Sequence, residues 1–111
     1  QVPHEKLPSY YSNHDAIIYA STCENMPNIL IESMASGLPI ACSDKQPMPE
    51  FLKQCGYYFN ANSADSIMQA IINLIEDKDS LKKIKQNLNE VRKLKWEETS
   101  KKTFNFIKNL T

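Results

Sequence analysis

The chain has 111 residues, of which 41% are hydrophobic, with 13 basic side chains, 13 acidic side chains and three cysteines. This length suits one small domain with a modest core. No apolar run approaches the ~20 residues of a membrane-spanning helix, nothing resembles a signal peptide, and the cysteines lack the spacing of a metal site. We therefore expect a small cytoplasmic domain whose cysteines are free thiols.

The charge is distributed unevenly along the chain. Residues 1–80 carry 4 basic and 10 acidic side chains, a net charge of −6, whereas residues 81–111 carry 9 basic and 3 acidic side chains, a net charge of +6. A basic segment can face a membrane, a nucleic acid or an acidic partner, or it can form the solvated faces of helices. We expect no nucleic-acid groove here and favour solvated helix faces.

Residues 1–60 alternate between helical patterns and short apolar runs. In chain order, the patterns predict a helix over 8–13, a strand over 16–20, a helix over 28–36, a strand over 38–43, a helix over 48–56 and a strand over 57–59. Pro27 and Pro49 suit the starts of the second and third helices. Gly37 and Gly56 suit the ends of the same helices.

Residues 61–111 change to a helical period. Apolar positions recur every three or four residues in three consecutive amphipathic segments. Ser63 or Asp65 is expected to cap the first segment, and Trp96 is expected to anchor the last one onto the core. The three stripes are Ile67, Met68, Ile71, Leu74 and Ile75; Leu81, Ile84, Leu88 and Val91; and Trp96, Thr99, Thr103, Ile107 and Leu110.

The order of these elements predicts the fold class. Strands that alternate with helices and are followed by further helices indicate an α/β fold, with a short parallel sheet packed with helices and a helical C-terminal end. Parallel strands need neighbours and cover on both faces, and three short strands make a thin sheet. We therefore expect residues 1–111 to be part of a larger doubly wound, Rossmann-like domain.

The segment STCENMPNILIE, residues 21–32, carries two carboxylates around a predicted helix start. Pro27 is preceded by Met26, a poor N-cap, so the N–H groups of Asn28 and Ile29 lack an obvious side-chain acceptor. A ligand anion is a suitable acceptor, because helix N-termini that follow parallel strands bind phosphates. This segment is therefore a candidate binding site.

The two carboxylates of this segment, Glu24 and Glu32, would repel a phosphate unless they bind another group. Carboxylates accept hydrogen bonds from hydroxyls, and one carboxylate can bind both hydroxyls of a ribose. A nucleotide sugar has phosphates in the middle and hydroxyls at either end, so its shape fits this arrangement. The alternative is that Asn25 caps the helix, Glu24 is a solvated loop charge and Glu32 is an exposed helix position.

The longer stretch YASTCENMPNILIESMASGLPIACSD, residues 19–44, resembles the donor-site segment of retaining GT-B glycosyltransferases of family 4, the glycosyl transferases group 1. The family's pattern has a serine, a glutamate, a short loop and then Glu-Ala-Met-Ala-x-Gly-x-Pro-Val. Residues 48–77 resemble the Pro-Glu, strand and helix that follow in the family. The stretch WEETSKKTFNFI, residues 96–107, resembles the family's closing Trp-containing helix.

The resemblance implies a role for each part of the segment. Residues 1–111 would form the C-terminal portion of a GT-B nucleotide-sugar-binding domain. Glu24 would be catalytic and contact hydroxyls of the donor sugar, and Glu32 would bind the ribose diol. The loop and helix start would face the diphosphate and the sugar, largely through backbone N–H groups, and its substrate-binding residues would be Asn25, Met26, Pro27, Asn28 and Ile29. No metal and no cofactor is expected.

The resemblance also implies an activity for the parent protein. It would be a bacterial, cytoplasmic hexosyltransferase that moves a sugar from a nucleotide sugar, expected to be a UDP-sugar, to an acceptor with retention, as in polysaccharide biosynthesis. An N-terminal domain would bind the glycan or lipid-linked acceptor, and the protein would contact the inner face of the membrane peripherally. The alternatives are a non-catalytic GT-B-like partner subunit and a nucleotide-sugar epimerase on the same fold.

This chain departs from the family's pattern in its loop and in its extent. Residues 25–28 read Asn-Met-Pro-Asn, where the family commonly has Gly-Phe-Gly, and Ser33 stands where the family commonly has alanine. The family's basic phosphate-contacting residues belong upstream of the segments present here. We therefore expect the isolated 111 residues to be inactive in sugar transfer.

Overall fold

The computed structural model describes residues 2–110, which form an α/β arrangement. Single 3₁₀ turns occur at His4–Lys6 and Lys53–Cys55. The strands are β1 (Ile17–Tyr19), β2 (Ile40–Ser43) and β3 (Gly56–Phe59). The helices are α1 (Leu7–Ser12), α2 (Asn28–Ala35), α3 (Met48–Leu52), α4 (Ala64–Glu76), α5 (Ser80–Arg92) and α6 (Trp96–Asn109).

The strands form one open sheet in the order β1-β2-β3, and both neighbouring pairs are parallel. Ile17 pairs with Ile40, and Ile40 pairs with Gly56. Parallel neighbours need crossover connections, which α2 and α3 supply. The predicted fold class is therefore confirmed: this is a short parallel sheet packed with helices, consistent with a partial Rossmann-like domain.

The two faces of the sheet are covered by different helices. On one face, Tyr19, Ile40 and Cys42 form a core with residues of α2 and α3, namely Leu30, Met34, Met48 and Leu52. On the other face, Ala41, Tyr57 and Phe59 pack against Ala70 and Leu74 of α4. All four residues of β2 are buried, because this central strand has a neighbour on each side and helices above and below.

Local signals for helix ends are partly confirmed. Gly37 follows α2 with a φ of +80°, the left-handed conformation that favours glycine at a helix end. The Ser63 Oγ accepts a hydrogen bond from the Ser66 N–H at 3.2 Å and caps α4 as predicted.

The prediction for Gly56 is wrong. It has an extended φ of −99° and begins β3, because α3 ends at Leu52 and a 3₁₀ turn follows. A Cβ at position 56 would lie 2.9 Å from a ring carbon of Tyr58, so glycine is required here because the Tyr58 ring packs closely against the backbone. The residue with positive φ at the end of α3 is Lys53, at 50°.

The helices that follow the sheet differ in how much they bury. In α4 the prediction holds for Leu74, which is buried, whereas Met68 and Ile75 are exposed. In α5 we expected the residues of the apolar stripe to face the core, but the buried side chain of this helix is Asn87.

Trp96 was predicted to anchor the last helix, and this is wrong. Trp96 is 74% exposed, and α6 has no buried residue within the described part of the chain. The physical reason is that α2 and α3 already cover one face of the sheet and α4 packs on the other, so neither face has α6 as its cover. Between residues 2 and 110, none of the helices combines the length and the apolar character needed to cross a bilayer.

Candidate functional site

The candidate site lies in the loop that joins the carboxyl end of β1 to the start of α2. In open α/β sheets, ligands bind outside the carboxyl ends of the strands. The loop runs over residues 20–27, immediately after Tyr19, the last residue of β1. Beside it, β2 ends at Ser43, and the Asp44 N–H donates to the Phe59 carbonyl at 2.9 Å. This bond ties the ends of β2 and β3 together at the same edge of the sheet.

Glu24 is held by two hydroxyl donors. The Tyr19 Oη donates to the Glu24 Oε1 at 2.8 Å, and the Ser21 Oγ donates to the same oxygen at 2.8 Å. Within residues 2–110, the Glu24 Oε2 has no hydrogen-bond partner. Glu24 is half-buried, so its carboxylate combines two fixed hydrogen bonds with partial access to solvent.

The same contacts fix the protonation state of this group. The hydrogen bonds from Ser21 and Tyr19 hold the pKa of the Glu24 carboxyl below its ordinary value, because they stabilise the charged form. Burial, together with the bond to Glu24, raises the pKa of Tyr19 to about 12. At neutral pH, Glu24 is therefore an ionised acceptor and Tyr19 is a neutral donor.

The start of α2 has no side-chain cap, as the sequence predicted, but its details differ. Pro27 is the residue before the helix, with φ −80° and ψ 75°, and the first helical residue is Asn28. As predicted, the Asn28 N–H has no side-chain acceptor; it donates instead to the backbone carbonyl of Met26 at 2.8 Å. The Ile29 N–H donates no hydrogen bond within the described residues. Asn25 does not cap this helix, so that alternative is also wrong.

The exposure of the loop and helix start decides which groups a ligand can reach. Asn25, Met26, Asn28 and Ile29 are exposed, whereas Pro27 is buried. A ligand can therefore contact the first four directly, and Pro27 acts through the shape of the loop. Met26 and Asn28 also line a small cavity of about 100 Å³, together with Leu94 and Lys95, which precede α6, and Trp96 and Thr99 of α6.

Glu32 lies one turn inside α2 and is half-buried. It lines an open groove of about 360 Å³. The other walls come from the segment that precedes β1, namely His4, Glu5, Leu7, Pro8 and Tyr11. No local pattern indicated these residues, because they lie more than twenty positions from Glu32 and their own segment reads as a polar loop and a short helix.

The groove does not include Glu24, so the structure places the two carboxylates at distinct parts of one loop–helix unit. Across the described range 2–110, His, Cys, Asp and Glu side chains form no group of three or more that is able to hold a metal ion. The three cysteines are unpaired: Cys23 is exposed, and Cys42 and Cys55 are buried.

Comparison with known proteins supports the resemblance seen in the sequence. Residues 1–91 match the family described as "Glycosyl transferases group 1". Over 109 residues the chain is 30% identical to the O-antigen chain mannosyltransferase B of Escherichia coli, a match that covers 96% of this chain and 28% of that protein. The chain thus spans little more than a quarter of the length of this relative. No solved structure matches the chain. Because the family match includes the sheet, the Glu24 loop and α2, the chain belongs to the glycosyl transferases group 1 family.

Proposed function

We propose that this chain forms part of the donor site of a glycosyltransferase, which transfers a sugar from a nucleotide sugar to a glycan or glycolipid acceptor. The observation that carries the proposal is the Glu24 carboxylate, which two hydroxyls hold at the carboxyl end of β1, beside an uncapped helix start. Membership of the glycosyl transferases group 1 family supports the reaction class. Catalysis then requires the acceptor-binding part of a longer protein.

Each group of the site has a proposed task. Glu24 accepts a hydrogen bond from a donor-sugar hydroxyl through Oε2, the oxygen that is unbonded within residues 2–110. The Ile29 N–H and the positive end of α2 face the diphosphate, whose negative charge grows as the bond to the sugar breaks. Fixed donors of this kind lower the barrier because they are already oriented towards the developing charge.

Glu32 provides the second half of donor recognition in this proposal. Its carboxylate binds the ribose diol, since one carboxylate accepts two adjacent hydroxyls. The groove of about 360 Å³ beside it has apolar walls at Leu7, Pro8 and Tyr11, against which a nucleobase can pack. The site needs no metal in this scheme, and the GT-B fold, membership of family 4 and retention at the anomeric carbon belong to the same proposal.

The sugar, the nucleotide and the acceptor are the finer parts of the proposal. The similar E. coli protein is named as a mannosyltransferase of the O-antigen chain, which favours mannose as the sugar and a polysaccharide as the product. Our sequence-based expectation for the nucleotide is UDP. We place the protein in the cytoplasm of a bacterium, with peripheral contact at the inner face of the membrane.

An amide-resolved NMR titration tests the donor site directly. The protein is titrated with UDP, GDP and ADP, alongside Glu32→Ala and the matched control Glu50→Ala, which changes an exposed glutamate in the first turn of α3. We expect saturable shifts at Asn25, Asn28 and Ile29 with one nucleotide. These shifts weaken in Glu32→Ala and persist in Glu50→Ala.

The same experiment in the full-length protein provides the counter-test. If a folded full-length protein shows no shift with any nucleotide at millimolar concentration, the donor-site proposal is wrong. A transfer assay on that protein then separates the reaction classes: sugar on an acceptor supports a transferase, an altered sugar without transfer supports the epimerase alternative, and nucleotide binding without either supports the non-catalytic subunit.

A further inference from the structure

We propose that Tyr19 is a positioning residue of the donor site, whose hydroxyl acts with that of Ser21 to fix the Glu24 carboxylate with one oxygen free for the sugar. The inference rests on the proposed function, since it assigns Glu24 the task of binding a donor hydroxyl. The sequence resemblance does not single out Tyr19. The bond to Glu24 is visible only in the structure, because strand position and loop path together bring the two groups to 2.8 Å.

The ring of Tyr19 is held more firmly than a loop side chain. Tyr19 is the last residue of β1 and is 9% exposed, and its ring belongs to the core that contains Leu30, Met34 and Ile40. The sheet and α2 therefore fix the ring, and its hydroxyl projects from this fixed ring towards the loop. A donor mounted on a buried aromatic ring loses little further conformational freedom when it makes its bond.

Both hydroxyls donate to the same oxygen of the Glu24 carboxylate, Oε1. Because Oε1 is held in this way, the orientation of the second oxygen, Oε2, is determined as well. The donors come from two directions, one from the end of β1 and one from the loop, and both meet at Oε1. An ionised carboxylate accepts on both oxygens, so Oε2 keeps its full capacity for a ligand. Without Tyr19, the single bond from Ser21 would leave the carboxylate able to turn about its side-chain torsions.

Tyr19 also stays protonated wherever the enzyme is expected to work. Burial and the neighbouring Glu24 charge raise the pKa of this phenol to about 12, so it remains a donor at neutral pH. The bond from Tyr19 in turn helps to hold the pKa of Glu24 below its ordinary value. The pair is thus a permanent donor and a permanent acceptor.

Tyr19→Phe tests the inference, because it removes the hydroxyl and keeps the buried ring. The matched control is Tyr58→Phe, in which the lost hydroxyl donates to the Lys53 carbonyl at 2.6 Å. Tyr58 lies in the same row of the sheet, since Tyr19 pairs with Cys42 and Cys42 pairs with Tyr58. Both variants therefore lose one tyrosine hydrogen bond on the same face, and only one of the two bonds reaches Glu24.

The first readout is the pKa of Glu24 in the full-length protein. It is followed by the carbon chemical shift of the labelled carboxyl group, with Glu24→Gln used to assign the signal. We expect Tyr19→Phe to raise this pKa and Tyr58→Phe to leave it unchanged. The second readout is kcat/KM for sugar transfer, which should fall about tenfold or more in Tyr19→Phe because a hydrogen bond to a charged group is lost.

The outcomes separate this inference from the proposed function. If the pKa of Glu24 is the same in Tyr19→Phe as in the unmodified protein, the positioning role is refuted, whatever the activity. If kcat/KM falls equally in Tyr19→Phe and Tyr58→Phe, the role is also refuted, since the loss is then general. If the pKa rises in Tyr19→Phe but the unmodified full-length protein transfers no sugar, Tyr19 still positions Glu24 and the proposed function is what fails.

Discussion

Replacing Asn87 by leucine tests how this fold tolerates a buried amide. Asn87 lies on α5 with 2% exposure, and neither its Nδ2 nor its Oδ1 has a hydrogen-bond partner within the described residues. Such groups lose their bonds to water on folding and regain nothing. Leucine has the same branching and the same number of side-chain heavy atoms, so it fills the same space with apolar atoms. We therefore expect Asn87→Leu to stabilise the protein.

The size of the effect follows from the two unpaired atoms. An unsatisfied buried polar group costs about 1–3 kcal/mol, and leucine is also the better helix former by about 0.4 kcal/mol. Some readjustment of the surrounding side chains offsets part of this gain. We expect the free energy of unfolding to rise by about 2 kcal/mol. For 111 residues, with an unfolding entropy of about 2.1 cal/mol/K per residue, this corresponds to an increase in Tm of about 8 °C.

The assay is thermal unfolding followed by circular dichroism, with urea unfolding at 25 °C as a second measure. The matched control is Asn89→Leu, which makes the same exchange at an exposed position of the same helix. The Asn89→Leu variant gains only the higher helix propensity of leucine, so we expect its Tm to rise by about 2 °C. If Asn87→Leu lowers Tm while Asn89→Leu does not, Asn87 has a partner in solution, such as a buried water, and the reasoning is wrong.

Three further predictions concern stability. The Asp77 carboxylate is 2.8 Å from the Lys83 Nζ and accepts a hydrogen bond from the Tyr57 Oη at 2.6 Å, and these contacts hold its pKa well below the ordinary value. Because a depressed carboxyl pKa adds stability above the unfolded-state pKa, this contribution is expected to be lost as pH falls below about 4. Urea unfolding at pH 7, 4 and 3 should show a smaller acid loss in Asp77→Asn, and an equal loss would contradict this. Leu30→Ala should lower the free energy of unfolding by about 2–5 kcal/mol, since Leu30 is fully buried. Gly37→Ala should lower it by about 1 kcal/mol because φ is +80°, with Gly37→Asn costing less; equal stability of all three proteins in urea would argue against strain at this position.

Elements that are set by local patterns were predictable from the sequence. The apolar run at 40–43 is a buried strand, Gly37 ends a helix and Ser63 caps one, because each signal acts within a few residues. The parallel sheet followed from the alternation of short strands and helices. The strand–loop–helix unit that carries Glu24 was also predictable, since strand, loop and helix start are consecutive in the sequence; its role as a donor site came from the family resemblance and stays a prediction.

Features that depend on how elements pack were not predictable. Trp96 lies on an apolar stripe like those of core-facing helices, but the pattern cannot say whether a second surface is there to cover it. Asn87 reads as a solvent-facing residue, yet it is buried on α5, a helix that packs against α2 and against the 3₁₀ turn at Lys53–Cys55. The groove beside Glu32 joins segments that are far apart in the chain. In each case, the outcome depends on contacts between elements that are distant in the chain, and a local hydrophobic periodicity does not report on such contacts.

The core and the candidate site share the same side chains, which connects stability to function. Leu30 and Met34 hold α2 against the sheet, and they pack in the same cluster as the ring of Tyr19, whose hydroxyl fixes Glu24. A cavity at Leu30 would therefore loosen the Tyr19 ring as well as the helix. It follows that core substitutions in α2 should reduce activity even under conditions where the protein remains folded. A comparable cavity at Leu74, in the core on the opposite face of the sheet, should lower stability without disturbing the Tyr19–Glu24 bond.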